Sequence, residues 1–319
     1  MNPLAYSLGG LLYAPATNRD IAAHILRHDW PCLTSVSLCL EDSIQDAALP
    51  EAEAQLKETL RTLRASGERL PLLFVRVRNP EHFRHVHNFL GPETDVLTGY
   101  IFPKFDLTNA DHYLGTLKII NLDRPDVHLY GMPIIESRMM ARLDMRREAL
   151  HRLRKIIDES REDVLNIRVG GNDFCNLYGL RRNVRHSIYD IGVVRDILID
   201  ILNVFSEDYV VSGPVWEYYG ADENAPWADG LRRELVLDRA NGFIGKTAIH
   251  PSQLPLIWES LQVTQEEYDD ALQILSWNDA VKAVAGSRHG RMNEVKCHTN
   301  WALKIRQRAE IYGIREEQA

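Results

Sequence analysis

The sequence predicts an α/β protein built as a TIM (β/α)8 barrel with a C-terminal helical extension, and three observations carry that expectation. Short apolar runs rich in Val, Ile, Leu and Tyr alternate with longer helical patterns, the signature of β-α units and a parallel sheet. Eight such runs occur, the count of a closed barrel. Acids and bases stand at their C-terminal ends, the rim on which barrels of this kind place their functional groups.

In chain order the predicted strands are 10–14, 35–40, 72–77, 99–102, 129–135, 165–169, 209–212 and 243–249. After the first stands Tyr13-Ala14-Pro15-Ala16-Thr17 rather than a glycine-rich phosphate loop, which disfavours a doubly wound sheet. Predicted helices fall between the strands at 19–28, 50–65, 111–121, 139–159, 188–205 and 227–241. Within the fourth, Leu150, Leu153, Ile156 and Ile157 recur three or four apart, an apolar stripe suited to packing on a sheet. The arginines between 142 and 154 are expected on its solvated face. Beyond Pro251 no further strand is expected. Helices are predicted at 265–285 and 298–311, joined by a polar connector, 286–294, whose composition suits a mobile lid or a surface loop. The barrel is therefore expected to fill residues 1–255, and a helical lid or oligomerisation segment residues 256–319.

Composition narrows the function classes. The chain has 319 residues, 45% of them apolar, so a sizeable core can be buried. Its 37 basic against 45 acidic residues give a formal charge of −8, which argues against a nucleic-acid or anionic-membrane partner. Cys32, Cys39, Cys175 and Cys297 lack CxxC pairing and are expected as buried free thiols. The N-terminal residues lack a signal-peptide pattern and no apolar run approaches 18 residues, so a cytoplasmic protein is expected.

At the strand ends stand Glu41-Asp42, Arg76 and Arg78, Pro103-Lys104, Glu136, Gly170-Gly171-Asn172-Asp173 and His250-Pro251. Glu136 and Asp173 could hold a hard divalent cation, which commonly takes one or two carboxylates and completes its shell with water and substrate oxygens. The competing reading is a helix-capping Asp173 and a salt-bridged Glu136. Arg76 lies in the apolar run Leu-Leu-Phe-Val-Arg-Val and needs anions: Glu41 or Asp42, a substrate oxyanion, or both. Arg78 shares its parity and is expected on the same face, nearer the rim. His82, His85 and His87 suit a loop or helix better than a metal site, and His250 suits a strand-end cap better than a general base.

The order Leu12-Tyr13-Ala14-Pro15, Leu40-Glu41-Asp42-Ser43, Val75-Arg76-Val77, Pro103-Lys104, Pro133-Ile134-Ile135-Glu136-Ser137, Gly171-Asn172-Asp173-Phe174, Gly245-Lys246 and Ala248-Ile249-His250-Pro251-Ser252-Gln253 resembles the HpcH/HpaI aldolase and citrate lyase beta-subunit (CitE-like) family. The resemblance implies a barrel of the phosphoenolpyruvate/pyruvate-binding type. It implies a lyase that makes or breaks a carbon-carbon bond in a hydroxy acid or a malyl-, citramalyl- or citryl-like thioester, using Mg²⁺, with Mn²⁺ as a substitute. Glu136 and Asp173 match the family's metal ligands, Arg76 its substrate arginine, and Glu41 with Asp42 the supporting acids. Gly290-Arg291-Met292-Asn293-Glu294 matches the lid pattern of CoA-dependent members, with Glu294 replacing Asp at the position of the lid acid, and leaves open whether the substrate arm is CoA, a carrier protein or neither.

The expected substrate-binding set is Arg76, Arg78, Lys104, Gly171, Asn172 and Pro214. A small 2-oxo acid or hydroxyacyl substrate and a homotrimer or hexamer are the implied partners. Two alternatives stand beside this reading: a thioester hydrolase or synthase on the same scaffold, and a non-catalytic barrel acting as a binding or assembly subunit. The aromatic stretch 216–227 is unusual for its position and is expected to shape the pocket.

Overall fold

The computed structural model describes residues 2–278, 284–286 and 290–315 and divides into two compact units, Met1–Ile257 and Trp258–Ala319. In the first unit eight parallel strands follow one another: β1 (Gly10–Pro15), β2 (Ser35–Cys39), β3 (Leu72–Arg76), β4 (Gly99–Phe102), β5 (Tyr130–Ile135), β6 (Ile167–Val169), β7 (Val211–Ser212) and β8 (Lys246–Ala248). Each pairs with its sequence neighbour, and β8 returns to pair with β1. The ring closes between β7 and β8 through a parallel bridge from Gly213 to Lys246, with Gly213 N donating to Gly245 O at 3.0 Å. The protein is a TIM barrel. Gly245 makes the seam possible, since its φ is +76° and a Cβ there would lie 2.6 Å from the Gly9 carbonyl oxygen.

Register decides which side chains enter the barrel. Pairing of Cys39 with Arg76 and of Ile134 with Arg168 sets the two arginines on inward positions of β3 and β6. The outward faces pack on helices whose stripes the sequence shows. Leu49–Ser66 buries Ala52, Leu56, Leu60 and Leu63, and Gly192–Phe205 buries Val194, Ile197, Leu198, Ile201, Leu202 and Phe205. Each fully buried Leu, Ile or Phe contributes about 1.5–3 kcal/mol.

Three local expectations are corrected. Arg146, placed on the solvated face of its helix, is buried: its guanidinium caps the carbonyls of Met140 and Ala141 and pairs with Asp200 at 2.7 Å. Arg154 is also half-buried, donating to Val204 O and pairing with Asp158 and Asp208, while Arg142, Arg147 and Arg152 stay on the solvated face; a long side chain can reach a neighbouring turn without disturbing the stripe. Cys39 and Cys175 are buried, whereas Cys32 is half-buried and Cys297 exposed. Strands also occur after Pro251: β9 (Val263–Thr264) pairs with β12 (Ile314–Arg315), and β10 (Val284–Gly286) with β11 (Met292–Glu294). Two- and three-residue ladders are too short to produce an alternating pattern.

The second unit has its own small core. Val263, Ala271, Ile274, Ala302 and Ile305 pack the helices Gln265–Leu275 and Val295–Tyr312 together. Thr264 and Glu267 form a capping box at the first of these helices. No helix among the described residues is long and apolar enough to cross a membrane.

Candidate active site

A cavity of about 210 Å³ lies at the C-terminal ends of the strands, and all of its lining residues belong to the first unit. That volume suits a compact ligand, being below the range of about 300–1,000 Å³ common for drug-sized molecules. Tyr13, Arg76, Glu136, Arg168, Asp173 and Thr247 supply most of its polar wall.

Arg76 is the hub of one side. Its Nη2 lies 2.9 Å from Glu41 Oε2, 3.1 Å from Asp42 Oδ2 and 3.4 Å from Glu136 Oε1. Its guanidinium also stands over the Tyr13 ring at 5.6 Å. Burial works against the charge, but Tyr13, Glu136 and Glu41 hold the guanidinium above its ordinary pKa. Its Nε has no hydrogen-bond partner among the described residues. The sequence left an internal ion pair and a substrate fork both open; the ion pairs form, and one N–H stays available.

Glu136 follows β5 directly and is almost wholly buried. Its Oε1 accepts from the Lys104 backbone N at 2.9 Å, and Lys104 adopts a left-handed φ of 49° at that point. Burial pushes the Glu136 carboxyl up to about 8; Arg76 opposes this, and the neighbouring Asp173 carboxylate adds to it. Asp173 sits in the first turn of the helix Gly171–Leu177, whose N-cap is Gly170, so it is not the cap residue. Gly170 lets the backbone run beside both carboxylates. A Cβ there would meet Glu136 Cβ at 2.4 Å, Glu136 Oε2 at 2.5 Å and Asp173 Oδ2 at 3.3 Å.

This donor set fits a hard divalent cation. A buried carboxylate beside a half-buried one calls for a shared proton or a cation, and Mg²⁺ takes one or two carboxylates while keeping other positions for water and substrate. No cluster of three or more His, Cys, Asp or Glu suited to a metal occurs among the described residues, so Glu136 and Asp173 would leave most of the shell open.

The sequence also matches the family model of C-C bond lyases of the TIM-barrel fold over residues 2–314. The chain belongs to the C-C bond lyase family. No curated protein matches it in sequence. Among solved structures this family member is similar to a citrate lyase from Burkholderia xenovorans, with a TM-score of 0.71 at 15% identity, covering 97% of this chain and 94% of that one. It is also similar to CitE from Mycobacterium tuberculosis in complex with magnesium, acetoacetate and coenzyme A, with a TM-score of 0.60 at 18% identity, covering 95% and 98%. RipC from Yersinia pestis gives 0.56 at 16% identity, covering 82% and 99%. At such identities the likeness is one of fold.

In this C-C bond lyase family member the other expected residues fall as follows. Glu41 and Asp42 buttress Arg76, and Lys104 Nζ pairs with both. Burial raises the pKa of the Glu41 carboxyl. Gly171 and Asn172 line the cavity, while Pro214 packs behind Gly171. Arg78 lies outside the cavity lining: β3 ends at Arg76, and the Arg78 guanidinium ties Leu40 O, Ile44 O and Asp46 together. Glu294 closes β11 in the second unit, where its N donates to His298 Nδ1 at 2.9 Å.

His82, His85 and His87 lie on the helix Pro80–Leu90, and His82 and His85 share Glu53. His250 Nδ1 accepts from Ser252 N at 3.2 Å, as a capping residue does. Trp216 does not shape the pocket. It is wholly buried, donates to Trp227 O and lies under Arg182. Three cavity residues with polar side chains stand outside the predicted set: Tyr13, Thr247 and Arg168. For Arg168 a signal exists, since Asn166-Ile167-Arg168-Val169 sets a cation in a buried strand as Val75-Arg76 does.

Proposed function

We propose that the chain is a Mg²⁺-dependent carbon-carbon lyase of the aldolase type, acting on a hydroxy acid or a hydroxyacyl thioester. The observation that carries the reading is the Glu136–Asp173 pair beside Arg76 in a small barrel-mouth cavity. The magnesium in the Mycobacterium tuberculosis CitE complex supports the choice of ion. Mg²⁺ held by these carboxylates would polarise a substrate carbonyl oxygen.

The protein's own groups do the rest. Cleavage sends the bonding electron pair into an enolate, and the Arg76 guanidinium, fixed by Glu41, Asp42 and Glu136, is placed to donate to the developing oxyanion. Buttressing by three carboxylates keeps that donor oriented before the reaction, so little reorganisation is needed as charge develops. The hydroxyl proton of the substrate must leave as its new carbonyl forms, and a proton must reach the enolate carbon. Glu294 is the group proposed for this transfer, within a homotrimer or hexamer.

Calorimetry with pyruvate tests the site. Binding is expected only with Mg²⁺ present, and Glu136→Gln and Asp173→Asn should each abolish it; unchanged Mg²⁺-dependent binding in both variants sinks the assignment. Glu294→Gln should slow turnover by roughly 10²-fold or more while leaving pyruvate affinity within about twofold. Free thiol released from a hydroxyacyl thioester without a carbonyl product would point to hydrolysis instead.

A further inference from the structure

The barrel unit buries five cations: Arg76, Arg146, Arg168, Arg182 and Lys246. Four have carboxylate partners. Arg76 meets Glu41, Asp42 and Glu136, Arg146 meets Asp200, Arg182 meets Glu217 and Glu234, and Lys246 meets Glu234 and Asp238. Arg168, only 1% exposed, has none within 4 Å among the described residues. Its Nη2 donates to Thr247 Oγ1 at 2.7 Å and its Nη1 to Asn166 Oδ1 at a marginal 3.5 Å, while Nε has no partner among the described residues. Arg168 lines the same cavity as Arg76. A buried guanidinium cannot readily discharge itself, so an unneutralised one is costly unless an anion arrives.

Register sets its depth. Ile134 of β5 pairs with Arg168, and Glu136 lies two residues further toward the rim. Arg168 is therefore about 6–7 Å below the carboxylate pair along the strand direction. A short ligand bound at the pair can reach it.

We propose that Arg168, with Thr247 and Tyr13, forms a second oxyanion subsite at the inner end of the cavity, so that the substrate is a 2-oxo or hydroxy acid carrying a further carboxylate or phosphate. The proposal rests on Glu136, Asp173 and Arg76 receiving the 2-oxo acid end. Arg168 thus selects the substrate while the carboxylate pair and Arg76 serve the reacting atoms.

Three matched 2-oxo acids provide the test: pyruvate, oxaloacetate and 3-phosphonopyruvate, titrated calorimetrically with Mg²⁺ into the full chain, wild type, Arg168→Gln and Arg168→Met. Wild type should bind at least one of the two dianionic acids roughly tenfold or more tightly than pyruvate, and whichever gains more identifies the second group. Both variants should lose that advantage and keep pyruvate affinity within about twofold. Arg168→Met should also unfold at the same temperature as the ligand-free wild type or higher, since it removes an unneutralised buried charge, whereas a purely structural arginine would give a lower one. If pyruvate binds as tightly as both dianions, or the variants weaken all three acids equally, the subsite falls while the metal-site reading stands. If wild type binds none of the three with Mg²⁺, both fall.

Discussion

At the scale of single residues, Gly170 shows how close the active-site parts lie. Its φ of −95° and ψ of 117° suit any residue, so the demand for glycine is steric, not conformational. Gly170→Ala would drive a methyl group into Glu136, and the carboxylate would have to turn away from Asp173. The expected result is a roughly tenfold or larger loss of Mg²⁺ affinity by calorimetry, with an unchanged far-ultraviolet circular dichroism spectrum. The two arginines show what a sequence discloses at this scale. A cation inside an apolar strand is visible in Val75-Arg76 and, on inspection, in Ile167-Arg168. Which of them meets carboxylates is not visible, because Glu41, Asp42 and Glu136 lie 34 to 60 positions from Arg76 in the chain.

At the scale of elements, the helix Pro80–Leu90 carries a pH dependence. Burial holds His82 below its ordinary pKa of 6.5, with the Glu53 carboxylate opposing without reversing it, and burial does the same to His87. A base whose pKa is lowered by folding contributes stability that is present above its unfolded pKa and is lost as pH falls toward the folded value. The contribution of these two histidines to the stability of the ligand-free protein should therefore decline as pH falls below about 6.5, against the opposite contribution of Glu136. In His82→Gln that decline should be shallower, as measured by scanning calorimetry in matched buffers. That segment was expected only as a loop or a helix, and the helix that forms is capped by Asn79, which accepts from His82 N. Strand ends were less legible. β3 stops at Arg76, so the parity argument for Arg78 loses its basis, and that side chain fastens the chain after β2 instead. Alternation is a property of paired strand, and pairing ends where the neighbouring strand diverges.

At the scale of the whole molecule, barrel closure is backed by a buried charge cluster. Lys246 of β8, whose neighbours make the seam with β7, turns its ammonium outward onto Glu234 at 2.9 Å and Asp238 at 2.7 Å of the helix Pro226–Asn241. Arg182 Nη1 pairs with Glu234 at 2.6 Å and Tyr189 Oη donates to Asp238 at 2.8 Å, so every member is satisfied. Removing one partner leaves the others charged and buried. Lys246→Met should cost about 3–5 kcal/mol in urea unfolding; a loss under 1 kcal/mol would mean that the cluster contributes nothing to holding the seam.

The sequence by itself determined the strand count, the β-α alternation, the extra segment after the barrel, and the rim residues Glu136, Asp173 and Arg76. These are carried by local periodicity and by charges set in apolar surroundings, both written in consecutive residues. Only the tertiary structure decided which charges neutralise one another. Among the described residues Arg168 is left without a carboxylate while Lys246 and Arg182 are fully paired, because pairing depends on register and strand closure that bring distant residues within a few ångströms.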